Sequence, residues 1–202
     1  MKRSLLIYPL IFTPNHMPTT QEIFNCVRWK KLTQLDNFLL EDSKILEARS
    51  ELGNSLLHTA IIFGQFGVAR YLIEKGIDLN LKNDKGKTSL HCLANRRNDR
   101  EDKVIRTMKL MLERGASAIS PDSEGNLPLH SALNLENWES AKVLSEYGGF
   151  DYKNKNGETP QDIADAFTKP IHQRPSTHFD PQLSYQLESR RRSEEETMLA
   201  IL

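Results

Sequence analysis

A four-residue signal recurs along this chain at a nearly constant interval. Ser55-Leu56-Leu57-His58 returns as Thr88-Ser89-Leu90-His91 and again as Leu127-Pro128-Leu129-His130, and an eroded copy reads Thr159-Pro160-Gln161-Asp162. A glycine stands two residues ahead of each copy, at Gly53, Gly86, Gly125 and Gly157. Successive copies are 33, 39 and 32 residues apart. A period near 33 describes one supersecondary unit stacked on copies of itself, not a globule closed around a single site.

The first full copy shows how the unit is built. Ser55 is an N-cap residue, and Leu56, Leu57 and Ala60 form the face turned to the neighbouring unit. Gly64 stops that first helix. Val68, Leu72 and Ile73 make the buried stripe of a second helix, which Gly76 ends with a positive φ. Asp78 to Asp84 then carries the chain to the next unit in an extended turn. The second unit repeats the ending in Leu110, Met111, Leu112, Gly115 and Ala116. Its six extra residues fall between its two helices, around Asn95 to Asp102. The third unit has Trp138, Ala141, Val143 and Leu144 in its second helix. Ahead of them all, Ile23, Phe24, Val27, Leu32, Leu35, Phe38, Leu39 and Leu40 follow helical spacing. Glu22 to Asp42 reads as two short helices broken near Lys30-Lys31, with Thr19 or Thr20 as N-cap. This segment lacks the tetrapeptide, as a capping unit with one wet face should.

These residues resemble the ankyrin repeat family. The family shares a TPLH-type tetrapeptide, a helix pair and a hairpin following a Gly-Ala-Asp-Val-Asn-like stretch. Gly76-Ile77-Asp78-Leu79-Asn80 is similar to that stretch, Gly115-Ala116 matches its start, and Gly148-Gly149-Phe150-Asp151 is a shortened version. The resemblance covers Thr20 to Phe167. It implies an all-α ankyrin-repeat solenoid of stacked helix-turn-helix units joined by hairpin-like turns. The expected organisation is an N-terminal extension over residues 1–18 and a repeat domain over residues 19–168. Within that domain lie a cap (19–52), repeats (53–85, 86–124, 125–156) and a partial cap (157–168). A linker and C-terminal helix or tail occupy 169–202. In the linker Pro170, Pro175 and Pro181 punctuate a polar stretch.

Composition narrows the class of function. Lys+Arg and Asp+Glu are both 27 in 202 residues, so there is no basic excess of the kind a general nucleic-acid binder carries. No run approaches the roughly 18 apolar residues that span a bilayer. Met1-Lys2-Arg3 followed by Leu5 to Phe12 resembles a secretory n-region and short h-region. Pro9 interrupts it, however, and no small-x-small cleavage site follows. Met17 is an alternative start. Cys26 and Cys92 lie in different units, which suits a reducing, cytoplasmic setting.

The candidate chemistry is sparse. His58, His91 and His130 come one per unit and stack in a row roughly 10 Å apart, so they do not converge on a metal. The resemblance gives them hydrogen bonds within and between repeats instead. Cys92 follows His91 directly, but adjacent helical positions point about 100° apart, so the two do not form a nucleophile pair. Neither GxxxxGK[ST], GxGxxG, HExxH nor GxSxG occurs. The expectation is no catalysis, no cofactor, no metal and no small-molecule substrate.

What remains is a surface. The resemblance implies an elongated concave face lined by inner helices and turn tips. The tips are Lys82, Asn83, Asp84 and Lys85, then Asp122, Ser123 and Glu124, then Lys153, Asn154, Lys155 and Asn156. Their charges run mixed, acidic, basic. A second candidate is the inserted loop, with Arg96, Arg97 and Arg100. The partner expected for both is a protein. The third candidate is the tail, where Glu194-Glu195-Glu196 precedes Met198-Leu199-Ala200-Ile201-Leu202. It resembles the C-terminal signal of bacterial type IV secretion effectors, which implies delivery into a host cytoplasm. Against that stand a regulatory or inhibitory subunit for a separate enzyme, and an enzyme hidden around Cys92.

Overall fold

The structure is a computed structural model that describes residues 17–96 and 101–168. Its described helices are α1 (Thr20–Arg28), α2 (Leu32–Glu41), a 3-10 turn (Ser43–Glu47), α3 (Leu56–Ile62), α4 (Phe66–Glu74), α5 (Ser89–Ala94), α6 (Glu101–Glu113), α7 (Pro128–Asn134), α8 (Trp138–Ser145) and α9 (Pro160–Thr168). Consecutive helices pair as α1 with α2, α3 with α4, α5 with α6 and α7 with α8. The odd-numbered helices touch in series from α1 to α9, and α4, α6 and α8 do the same beside them. The chain is therefore an all-α repeat solenoid in two layers, with no strand among the described residues.

Short polar starts and apolar faces explain the elements. Thr19 is the N-cap of α1: its hydroxyl accepts from Glu22 N–H, and the Glu22 carboxylate accepts from Thr19 N–H at 2.8 Å. That reciprocal pair satisfies two of the donors a helix start leaves open. In α3, Leu56, Leu57, Ala60 and Ile61 are fully buried, and in α4 so are Val68 and Leu72. One continuous cluster of buried side chains runs from Ile23 to Ala164 through every layer. Each helix pair thus buries its apolar face only against its neighbours, as stacking requires.

Two features depart from the sequence pattern. The extra length of the second repeat is shared between a connection and a helix: α5 ends at Ala94, and α6 then runs 13 residues against 9 in α4 and 8 in α8. Between the helices of a pair, Gly64 takes φ 66°, while Lys30 (57°) and Glu136 (53°) hold the equivalent left-handed position without being glycine. The outer layer is tied across its first gap. Tyr71 on α4 donates its hydroxyl to the Asp36 carboxylate on α2, and Lys75 Nζ lies 2.9 Å from the same carboxylate.

The glycines ahead of the first three signals, Gly53, Gly86 and Gly125, serve a close approach as well as a turn. Gly86 has φ 68°, and a Cβ there would lie 2.6 Å from Ser123 N in the next turn. Gly157 has φ 80° but nothing within 4 Å, because no further described turn stacks on it. Gly157→Ala is expected to cost about 1 kcal/mol, the left-handed penalty alone. Gly86→Ala adds a backbone clash and is expected to cost about 2 kcal/mol or more. Urea unfolding of both variants measures the difference, and equal costs would mean the turns do not depend on that approach.

Candidate functional site

The turns that join the repeats are built around a buried imidazole. Ser55 N–H and hydroxyl lie 3.3 and 2.8 Å from His58 Nδ1, and His58 Nε2 lies 2.8 Å from the Lys87 carbonyl in the next repeat. His91 repeats this with Thr88 and the Asn126 carbonyl at 2.9 Å. His130 takes the Leu127 N–H at 3.1 Å and meets the Glu158 carbonyl at 3.1 Å. All three histidines are fully buried. A backbone N–H pointing at Nδ1 and a carbonyl at Nε2 leave one arrangement: neutral, with the proton on Nε2.

The same carbonyls close each turn. Lys87, Asn126 and Glu158 C=O also accept from Asn83, Asp122 and Asn154 N–H, each at 2.9 Å. Neighbouring turns are joined by Asp84 N–H to Leu52 C=O, Ser123 N–H to Lys85 C=O, and Lys155 N–H to Glu124 C=O. The histidine row, the turn carbonyls and the rungs form one network along the stack.

This network sorts the tip residues. Lys82, Asp84, Lys85, Ser123, Glu124, Lys153, Lys155 and Asn156 are exposed. Asp122 and Asn154 are buried and so are not available as surface groups. Asp122 Oδ1 accepts from Glu124 and Asn126 N–H, and Asn154 Oδ1 accepts from Asn156 and Glu158 N–H. Asn83 holds its own turn in the same way and donates its amide to Asn54. A further tip, Ser50-Glu51-Leu52, closes with the same two backbone hydrogen bonds, Ser50 N–H to Asn54 C=O and Gly53 N–H to Ser50 C=O; Leu52 is 70% exposed.

Arg96 is also a structural residue. Its guanidinium donates to the Ile61 and Ile62 carbonyls at 3.0 and 2.9 Å, where α3 leaves its last carbonyls open. Asn137 does the same for the preceding repeat, donating to the Ala94 and Arg96 carbonyls. Arg97 and Arg100 lie outside the described residues, as does the segment 169–202.

Along the inner helices the position after each histidine is the least covered before the last turn: Thr59, Cys92 and Ser131. Burial pushes the Cys92 thiol up to about 11, and the Cys26 thiol also rises through burial. Among the described residues no group of three or more His, Cys, Asp or Glu is arranged to hold a metal ion, and no helix is long and apolar enough to cross a membrane.

A stack of helix pairs joined by buried histidines and glycine turns defines a repeat scaffold that presents surfaces, and the comparisons name the class. The pattern of ankyrin repeats (three copies) matches residues 23–107. The chain carries ankyrin repeats, and its described helices form the corresponding repeat solenoid. It is 31% identical over 119 residues to a Danio rerio protein named for a palmitoyltransferase, ZDHHC13, covering 57% of this chain and 17% of that one. It is 32% identical over 141 residues to dog inversin, covering 68% and 12%. With an ankyrin repeat protein of Rickettsia bellii it shares 25% over 151 residues, covering 68% and 43%. The chain thus spans less than half the length of each of these relatives. Ankyrin repeats are in general modules of protein–protein interaction without catalysis of their own.

Burial pushes the His91 imidazole down to about 4, and burial lowers His58 and His130 as well. The unfolded imidazole titrates near 6.5, so between about 6.5 and 4 the unfolded chain takes up a proton that the folded one refuses. Stability is therefore complete above pH 6.5 and falls as the pH drops toward 4, by about 3 kcal/mol at most from His91 alone. His91→Asn is expected to unfold at lower urea at pH 7.5 and to show a shallower loss between pH 6.5 and 4.5. An unchanged pH slope would remove His91 from the network. For Cys92, iodoacetamide labelling at pH 7.5 is expected to run roughly 100-fold slower in the folded chain than in urea, because so little thiolate is present.

Proposed function

We propose that this chain is a non-catalytic binding module whose protein partner lies along the face made by the turn tips and the half-buried inner-helix positions Cys92 and Ser131. The observation that carries this reading is the division of labour in the turns. Asn83, Asp122 and Asn154 hold the backbone, while Asp84, Lys85, Glu124, Lys153 and Lys155 stand exposed beside them. Charges freed from structural duty on a rigid ladder set specificity and encounter rate without an ordering cost. The order along the stack is mixed, then acidic at Glu124, then basic at Lys153 and Lys155. A partner with the opposite sequence of charge fits it.

The setting proposed is cytoplasmic. Delivery into a host cytoplasm rests on the resemblance of the glutamate-rich segment before Met198 to effector signals, together with the likeness to a Rickettsia bellii protein. Deleting Ser193 to Leu202 tests that narrower reading through loss of translocation.

The binding face is tested by a variant with Lys85, Glu124, Lys153 and Lys155 changed to Ala. The Lys85, Lys153 and Lys155 side chains hold no turn, and Glu124 adds only a 3.3 Å contact from the Asn126 amide, so the urea midpoint is expected to stay within about 0.5 kcal/mol of the parent. Paired pull-downs from bacterial and eukaryotic lysates are expected to lose a partner with this variant. A partner retained equally by parent and variant would remove the tips from the interface.

A further inference from the structure

The glycine turns are clamped by their successors, and the last of them is not. In the first three, the carbonyl just ahead of the glycine accepts a rung from the next turn: Leu52 from Asp84 N–H at 3.3 Å, Lys85 from Ser123 N–H at 3.0 Å, and Glu124 from Lys155 N–H at 3.0 Å. The same successor crowds the glycine. A Cβ at Gly53 would clash with the Asp84 carboxylate, and one at Gly125 would lie 3.0 Å from Lys155 N. The fourth turn differs on both counts. Among the described residues nothing donates to the Asn156 carbonyl, and a Cβ on Gly157 would meet open space. The residue ahead of the glycine differs as well: Leu52, Lys85 and Glu124 give way to Asn156, and Asn156-Gly157 is the one Asn-Gly step in the chain. Asn154 has its side chain engaged, with Oδ1 accepting from Asn156 and Glu158 N–H and the amide donating to Asn126 at 2.9 Å. The Asn156 side chain is exposed and has no hydrogen-bond partner among the described residues.

We propose that Asn156 is a site of spontaneous covalent modification, converted to aspartate and isoaspartate by its neighbour Gly157. The Gly157 nitrogen forms a bond to Asn156 Cγ, the Cγ–Nδ2 bond breaks, and ammonia leaves with the proton the nitrogen gave up. The product is a five-membered succinimide. Water then adds to one of its two ring carbonyls, and that carbonyl's bond to the nitrogen breaks. Opening at Cγ leaves aspartate. Opening at the backbone carbonyl leaves isoaspartate, with the chain now running through Cγ. Water is the one co-reactant, and nothing is oxidised or reduced. Ring closure requires the Asn156–Gly157 peptide unit to turn its nitrogen toward Cγ. In the earlier turns the rung and the crowded glycine resist that rotation. Here one hydrogen bond holds the unit, from Gly157 N–H to Asn154 C=O at 3.0 Å. The missing Cβ of Gly157 leaves its nitrogen open to approach. Either product places a negative charge beside Lys155 and close to Lys153, so the last tip loses part of its basic character.

The test incubates the folded full chain in mildly alkaline buffer. Isoaspartate is counted by enzymatic methylation of its carboxylate and located by peptide mapping, and ion exchange follows the added negative charge. Conversion is expected at Asn156, and Asn156→Gln, whose longer side chain does not close the five-membered ring, is expected to abolish it. The decisive comparison is Glu124→Asn, which sets the same Asn-Gly chemistry in a turn held by the Lys155 rung. In the folded chain, conversion at position 156 is expected to run about tenfold faster than at position 124, the factor imposed by opening one more backbone hydrogen bond. In urea the two rates are expected to be equal. Conversion of Asn156 in urea but not in the folded chain would overturn the proposal. Equal rates at the two positions in the folded chain would overturn the role given to the missing rung. The readout needs no partner, so it is independent of the binding face.

Discussion

Everything in this stack depends on an imidazole that must stay neutral. Each buried histidine accepts a backbone N–H from its own helix start and donates to a carbonyl in the next repeat, so a second proton has nowhere to go. Burial enforces this, because a charged ring there would lose its hydration with no carboxylate bonded to it in return. The carbonyl it meets is available only because the next turn folds tightly, and that turn needs a glycine with positive φ. The turns then lie close enough for one backbone hydrogen bond per step, as between Ser123 and Lys85. One chemical requirement thus propagates from ring to turn to layer.

The last copy shows which half of the device is local. Asp162 replaces histidine and closes the helix start with Thr159, its carboxylate 2.9 Å from Thr159 N and 2.7 Å from Oγ1. A carboxylate cannot donate onward, and no further described turn awaits it. Leu127 makes the converse substitution: it has no hydroxyl, and His130 keeps only the backbone N–H on that side. Pro128 sets the helical φ in compensation. The onward bond to Glu158 remains. Capping can therefore erode at one position while stacking continues, consistent with stability that sums over nearest neighbours.

The fold was legible because its signals are side chains that repeat. Ser55, His58 and Gly53 recur in fixed order, and helical spacing gave α1 through α4. The site was less legible because its decisive partners are backbone groups, which leave no trace in sequence. Asp122 and Asn154 read as soluble turn residues, yet each accepts two N–H groups of its own turn. Arg96 read as a free cation in an insertion, but its targets are the last carbonyls of α3. Trp29 and Phe63 occupy matching exposed positions, each the first residue past an inner helix. Only the repeat alignment, read for exposure instead of periodicity, reveals them.

The inner helices separate two kinds of surface. Seven residues of α3 span about 10 Å, from the Ser55 cap beside the polar tips to Phe63 beside Arg28. Polar groups gather at the first end because the turns there consume hydrogen bonds and leave charges pointing outward. Apolar groups are tolerated at the second because the helix ends are closed by side chains of the next repeat, Gln65, Arg96 and Asn137. Once those carbonyls are satisfied from above, the residues beside them have no structural duty toward solvent. A scaffold of this kind can then carry an electrostatic face and exposed apolar residues on the same helices, each adjustable without disturbing the histidine row between them.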